Sequence, residues 1–139
     1  MVKNTAVKPP VRGIAILLGV IIGCVFAYAY QVNLPTLFFE MEVYGVVGLL
    51  YSLIVFVAVP MLAGFVTGLM YPVMSIKNGL YVGLICGLFN SIIAAVKLIY
   101  APILAPSEIY AFSLFAIASV FVWMVLAAVA AELAGRFYE

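Results

Sequence analysis

Long apolar stretches alternate with short polar breaks along the whole chain. No charged residue interrupts Gly13 to Val32, about Tyr44 to Met70, or about Ile109 to Ala131, and Gly79 to about Ala101 carries only Lys97, near its end. A helix rises about 1.5 Å per residue, so roughly 20 apolar residues cross a hydrocarbon core of about 30 Å. The pattern therefore predicts four transmembrane helices, at about 13–32, 44–70, 79–101 and 109–131. The breaks hold Pro35, Glu40 and Glu42, then Pro72, Lys77 and Asn78, then Pro102, Pro106 and Glu108. The first break also contains Leu37-Phe38-Phe39 and reads as an interfacial loop. Residues 1–12, with Lys3, Lys8, Arg12 and the Pro9-Pro10 pair, form a polar lead-in. Pro60 falls inside the second span, where a missing amide donor predicts a kink.

The basic start, the apolar run and Ala27-Tyr28-Ala29 imitate a cleavable leader. The run is long for a leader, and a membrane helix is the expectation. Connections this short suit antiparallel neighbours. The expected fold class is all-α: a polytopic membrane protein, a compact four-helix bundle forming a single transmembrane domain over residues 1–139.

Composition agrees with lipid as the main solvent. Hydrophobic residues make up 69% and charged residues 8%, against about half and about a quarter in soluble domains. Lys3, Lys8, Arg12, Lys77 and Arg136 all fall on one side of a four-span arrangement, with Lys97 near the other. Basic residues near helix ends stay in the cytoplasm, which predicts both termini there, in a multi-pass protein of the cell membrane. Tyr28, Tyr30, Tyr44, Tyr100 and Tyr110 would supply the aromatic edge of the opposite face.

Membrane helices associate by close backbone approach, which small residues four apart permit. Ala15, Gly19, Gly23 and Ala27 form such a row in the first span, and Gly64 and Gly68 in the second. Gly79, Gly83, Gly87, Ser91 and Ala95 continue it through the third, and Ala127, Ala131 and Gly135 mark the fourth. The rows predict tight packing inside the chain, with a homo-oligomer interface as the alternative use. The long third row predicts that span at the centre of the bundle.

The second and third spans, with the turn between them, contain PMLAGFVTGLMYPVMSIKNGLYVGLICGLFN. This layout of proline, glycine pair, short basic turn and glycine row resembles small four-span membrane proteins of uncharacterised, domain-of-unknown-function families, including archaeal ones. The resemblance implies a compact four-helix fold and carries no activity or site.

Little catalytic chemistry is available. The chain has no His, and its acids are all glutamates, so the usual proton switch and the Ser-His-Asp arrangement cannot be built. No metal or cofactor is expected, and a net charge of +1 gives no basic surface for nucleic acid. Cys24 and Cys86 lie in apolar runs, where a thiol behaves as a small hydrophobe.

Polar groups within a span are functional candidates by default. Asn90 is the foremost, near the middle of the third span and level with Cys24 and Ser119. It predicts an interhelical hydrogen bond worth about 0.6 to 2 kcal/mol, with a substrate or ion site as the alternative. Lys97 lies two turns further along, where its ammonium can snorkel to water and pair with Glu108, Glu40 or Glu42. Glu132 and Arg136 have the i,i+4 spacing of a surface ion pair. Trp123 needs an acceptor for its indole N–H, at a glycine carbonyl or on a partner.

Two function classes follow. One is a structural, accessory or assembly role, with the bilayer and other membrane subunits as partners. The other is an oligomeric small-solute transporter or channel lined by Asn90. A membrane enzyme would have to draw its acids from Glu40, Glu42 and Glu108, on a wet rim ill suited to shifting their titration.

Overall fold

The computed structural model describes residues 12–33, 45–100 and 105–138. They form four helices: α1 (Arg12–Asn33), α2 (Gly45–Met70), α3 (Ser75–Ile99) and α4 (Pro106–Gly135), with a 3-10 turn at Arg136–Tyr138. All four are long and apolar enough to cross a membrane. The shortest has 22 residues, about 33 Å at 1.5 Å per residue. The expected lead-in and the interfacial loop with Glu40 and Glu42 lie outside the described residues.

Two helices start earlier than the hydropathy pattern placed them. α3 begins at Ser75 rather than Gly79, because Lys77 and Asn78 continue the helix instead of breaking it. α4 begins at Pro106 rather than near Ile109. Proline's fixed φ suits a first helical position, where no amide donor is needed. Glu108 then reaches back, and its Oε2 accepts from the Ala105 N–H at 2.8 Å. α4 also runs past Ala131 to Gly135, so Glu132 is helical.

The α2–α3 turn pivots on Met74, whose φ of 57° and ψ of 37° lie in the left-handed region. A side chain there costs about 1–2 kcal/mol. Met74→Gly is expected to raise the thermal unfolding midpoint, with a gain of up to about 1 kcal/mol after the added backbone entropy of glycine is subtracted. A lower midpoint would mean that the methionine side chain itself holds the turn.

The helices run alternately up and down. α1 packs on α2 and α3, α4 packs on the same two, and α2 touches α3, so α1 and α4 sit on opposite sides of the central pair. The closest pairing is α3 with α4, and α2 with α4 follows. The third span packs against all three others, as expected for a central helix, whereas the fourth packs against two. At the core lie Ala27, Val59, Ala63, Val82, Cys86 and Trp123, and Pro60 is buried within α2.

Size is sorted in reverse of a soluble protein. Ala15, Ala63, Ala127 and Ala131 are fully buried, whereas Ile54, Ile92 and Phe121 are more than 60% exposed. Large apolar side chains over a whole surface would aggregate in water but cost nothing against lipid tails. Tyr28, Tyr100 and Tyr110 are also exposed, near the helix ends that face away from Arg12.

Candidate functional site

Backbone contact through glycine organises the interior. A Cβ on Gly64 would stand 2.7 Å from the Cα of Ala127, and one on Gly68 2.8 Å from that of Ala131. On α3, Gly79 would meet the Ala127 carbonyl oxygen at 2.6 Å and Gly83 that of Trp123 at 2.5 Å. Gly87 is looser, 3.0 Å from the Val120 Cα. Gly19 and Gly23 of α1 face the side chains of Thr67 and Cys86, and Gly19 also approaches the Ala63 carbonyl oxygen, 2.9 Å from where its Cβ would stand. The third row ends its packing at Ser91, since Ala95 is exposed.

Polar side chains in the bundle pair with one another or with carbonyls. Asn90, 5% exposed, accepts at Oδ1 from Gln31 Nε2 at 2.8 Å, joining α1 to α3. Helical side chains lean toward their own N-terminus, so Gln31 reaches back from the last turn of α1. The Ala116 carbonyl accepts from both Ser91 Oγ, at 3.0 Å, and Ser119 Oγ, at 2.7 Å. Thr67 Oγ1 donates to the Ala63 carbonyl at 2.9 Å. Cys86 Sγ lies 3.8 Å from the Val20 carbonyl, and both cysteines are free thiols.

A second polar cluster occupies the end of the bundle where α1 and α3 begin and α2 and α4 finish. Asn78 is fully buried. Its Oδ1 accepts from Arg12 Nε at 2.8 Å and its Nδ2 donates to the Val73 carbonyl at 3.0 Å. The Arg12 guanidinium carbon also lies 6.0 Å from the Tyr81 ring centroid. Nearby, Ser75 Oγ donates to Glu132 Oε2, and Glu132 Oε1 meets Arg136 Nε at 3.4 Å. Tyr138 closes the corner by donating to the Leu69 carbonyl at 2.7 Å.

Other candidates are placed apart from these clusters. Lys97 is partly buried in the last turn of α3, while the Glu108 carboxylate caps α4. Trp123 is fully buried between helices, its ring 5.6 Å from Phe56, so it marks no partner-facing surface. Among the described residues its indole N–H reaches no acceptor, glycine carbonyls included. No group of metal-ligating side chains occurs among the described residues.

Sequence reasoning missed Gln31, Ser75, Asn78 and the inward role of Arg12. Gln31 had a usable signal, an amide within a predicted span. Asn78 lies just outside the helix that hydropathy predicts, in a stretch whose composition suggests a turn. Comparison of the chain with known protein families, curated proteins and solved structures finds no match.

Proposed function

We propose that the chain is a small integral membrane protein with a structural, accessory or assembly role, crossing the cell membrane four times with both termini in the cytoplasm. The supporting observation is the use made of its deep polar groups. Asn90 is buried and joined to Gln31, Ser91 and Ser119 share one carbonyl, and glycines close the space between helices. Such pairs bind helices to each other and, among the described residues, leave no run of polar atoms for a solute to follow. What the bundle offers outward is apolar surface. It includes a groove of about 590 Å³ lined by Phe26, Val55, Leu62, Phe65 and Leu133, suited to lipid or to apolar helices of other subunits.

Native mass of the complex extracted in mild detergent, with co-purifying chains identified, tests the reading. Stoichiometric foreign subunits are the expected result. A homo-oligomer giving robust liposome flux that Asn90→Leu abolishes, with folding intact, would overturn it in favour of the transporter. On the accessory reading Asn90→Leu changes stability only, by about 0.6 to 2 kcal/mol.

A further inference from the structure

A groove of about 660 Å³ opens at the Arg12 end of the bundle, between the α2–α3 turn and the final turns of α4. Its two halves differ in chemistry. One wall is apolar, from Pro72, Met74, Ile76 and Leu80. The other half carries Lys77, Glu132 and Arg136. The Glu132 carboxylate is engaged on both oxygens, by Ser75 and by Arg136. Lys77 is exposed and makes no hydrogen bond or ion pair among the described residues. Arg136 offers only its Nε to Glu132, and its side chain is 65% exposed.

Among the described residues, two cations against one carboxylate leave the lining of this groove with a single net positive charge, beside an apolar wall at the level where the lipid-facing surface gives way to polar groups. We infer that the groove binds the headgroup of an anionic phospholipid, of the phosphatidylglycerol class, with the phosphodiester between Lys77 and Arg136 and an acyl chain along Ile76 and Leu80. One phosphodiester charge balances the groove. A zwitterionic headgroup carries no net charge and would set its own ammonium beside Lys77 and Arg136, so it leaves the groove's positive charge unbalanced. Free phosphate carries the anion but leaves the apolar wall uncovered. Basic residues at the cytoplasmic surface attract anionic lipid, so the assignment rests on the membrane reading and on the orientation proposed above.

The test uses the full chain, reconstituted first into phosphatidylcholine vesicles and then titrated in mild detergent with short-chain phosphatidylglycerol, phosphatidylcholine or inorganic phosphate, with thermal unfolding as readout. Phosphatidylglycerol is expected to raise the unfolding midpoint in a saturable way that the other two do not match. Each of Lys77→Gln and Arg136→Gln is expected to weaken this binding about fivefold, and the pair together about 25-fold. Lys97→Gln, at the opposite end, leaves it unchanged. Both groove side chains are exposed, so the variants should fold, and if either does not, the comparison of ligands on the unaltered chain decides alone. Equal stabilisation by phosphatidylcholine or by phosphate would overturn the assignment, as would an equal effect of Lys97→Gln. A chain that inserts into vesicles but shows no preference refutes the site alone. One that does not insert refutes the membrane reading with it.

Discussion

Alanine at Gly64 or Gly68 is expected to separate α2 from α4 and to produce the largest stability losses of any single-methyl change in the chain. The added Cβ at either position falls against the carbonyl oxygen, carbonyl carbon and Cα of Ala127 or Ala131. Those are backbone atoms of a helix and cannot rotate aside, so relief requires moving one helix away from the other. Overpacking of this kind costs about 1–3 kcal/mol, and two sites on one interface are expected to couple rather than add. The other glycines grade downward by the same geometry. Gly79→Ala and Gly83→Ala also meet backbone and come next, whereas Gly87→Ala, at 3.0 Å from the Val120 Cα, needs only a few tenths of an ångström of adjustment. Gly13 has nothing within 4 Å, so its alanine variant gains up to about 1 kcal/mol of helix propensity. Unfolding in mild detergent, followed through the buried Trp123, gives the order. A Gly64→Ala protein as stable as the parent would show that α2 and α4 do not meet backbone to backbone.

Gly23 provides an internal check on this reasoning. Its Cβ would collide with the Cys86 side chain, which belongs to another helix and can be shortened. Cys86→Ala should therefore restore part of what Gly23→Ala loses. No side-chain change can restore Gly64→Ala, since its obstacle is main chain.

The helices were legible in the sequence because an apolar run long enough to cross lipid is a coarse signal that averages over many residues. The small residues at i,i+4 were legible too, because close approach in lipid demands them. Ends were harder. Pro106 and the Lys77-Asn78 pair look like breaks by composition, yet a proline at a first helical position and an asparagine tied to its own turn both support helix. Pairing was hardest, since periodicity says which face a residue occupies and not which residue of another helix stands opposite. Asn90 could be singled out from its depth, but Gln31 as its partner depends on how α1 slides along α3. The same holds for Ser75 and Glu132, joined only once α4 is seen to extend past Ala131. The groove at Lys77 and Arg136 was out of reach for that reason, as its walls come from two helix ends whose registers meet only in the folded chain.

Asn78→Leu is expected to cost about 2–3 kcal/mol and to loosen the Arg12 end of the bundle before the rest. The side chain is fully buried and serves both neighbours at once. Removing it takes a charge-assisted acceptor from Arg12, a bond worth about 1.5–3 kcal/mol, and leaves the Val73 carbonyl without its donor. Arg12 is only partly buried, so water can recover some of its loss, which keeps the total below the sum of the two bonds. Arg12→Met removes the other partner and strands the buried Asn78 oxygen, costing about 1–3 kcal/mol. A double-mutant cycle separates these effects, and the coupling between Arg12 and Asn78 is expected at about 1–2 kcal/mol. The same cycle on Gln31 and Asn90, both neutral and joining α1 to α3 further along, is expected nearer 0.6 kcal/mol. Hydrogen exchange in Asn78→Leu should quicken first across the α2–α3 turn and the first turn of α1. Uniform quickening along all four helices would instead mean that this corner is not a separate anchor, and a coupling below about 0.3 kcal/mol would mean that Arg12 finds its stabilisation in water and on the Tyr81 ring rather than at Asn78.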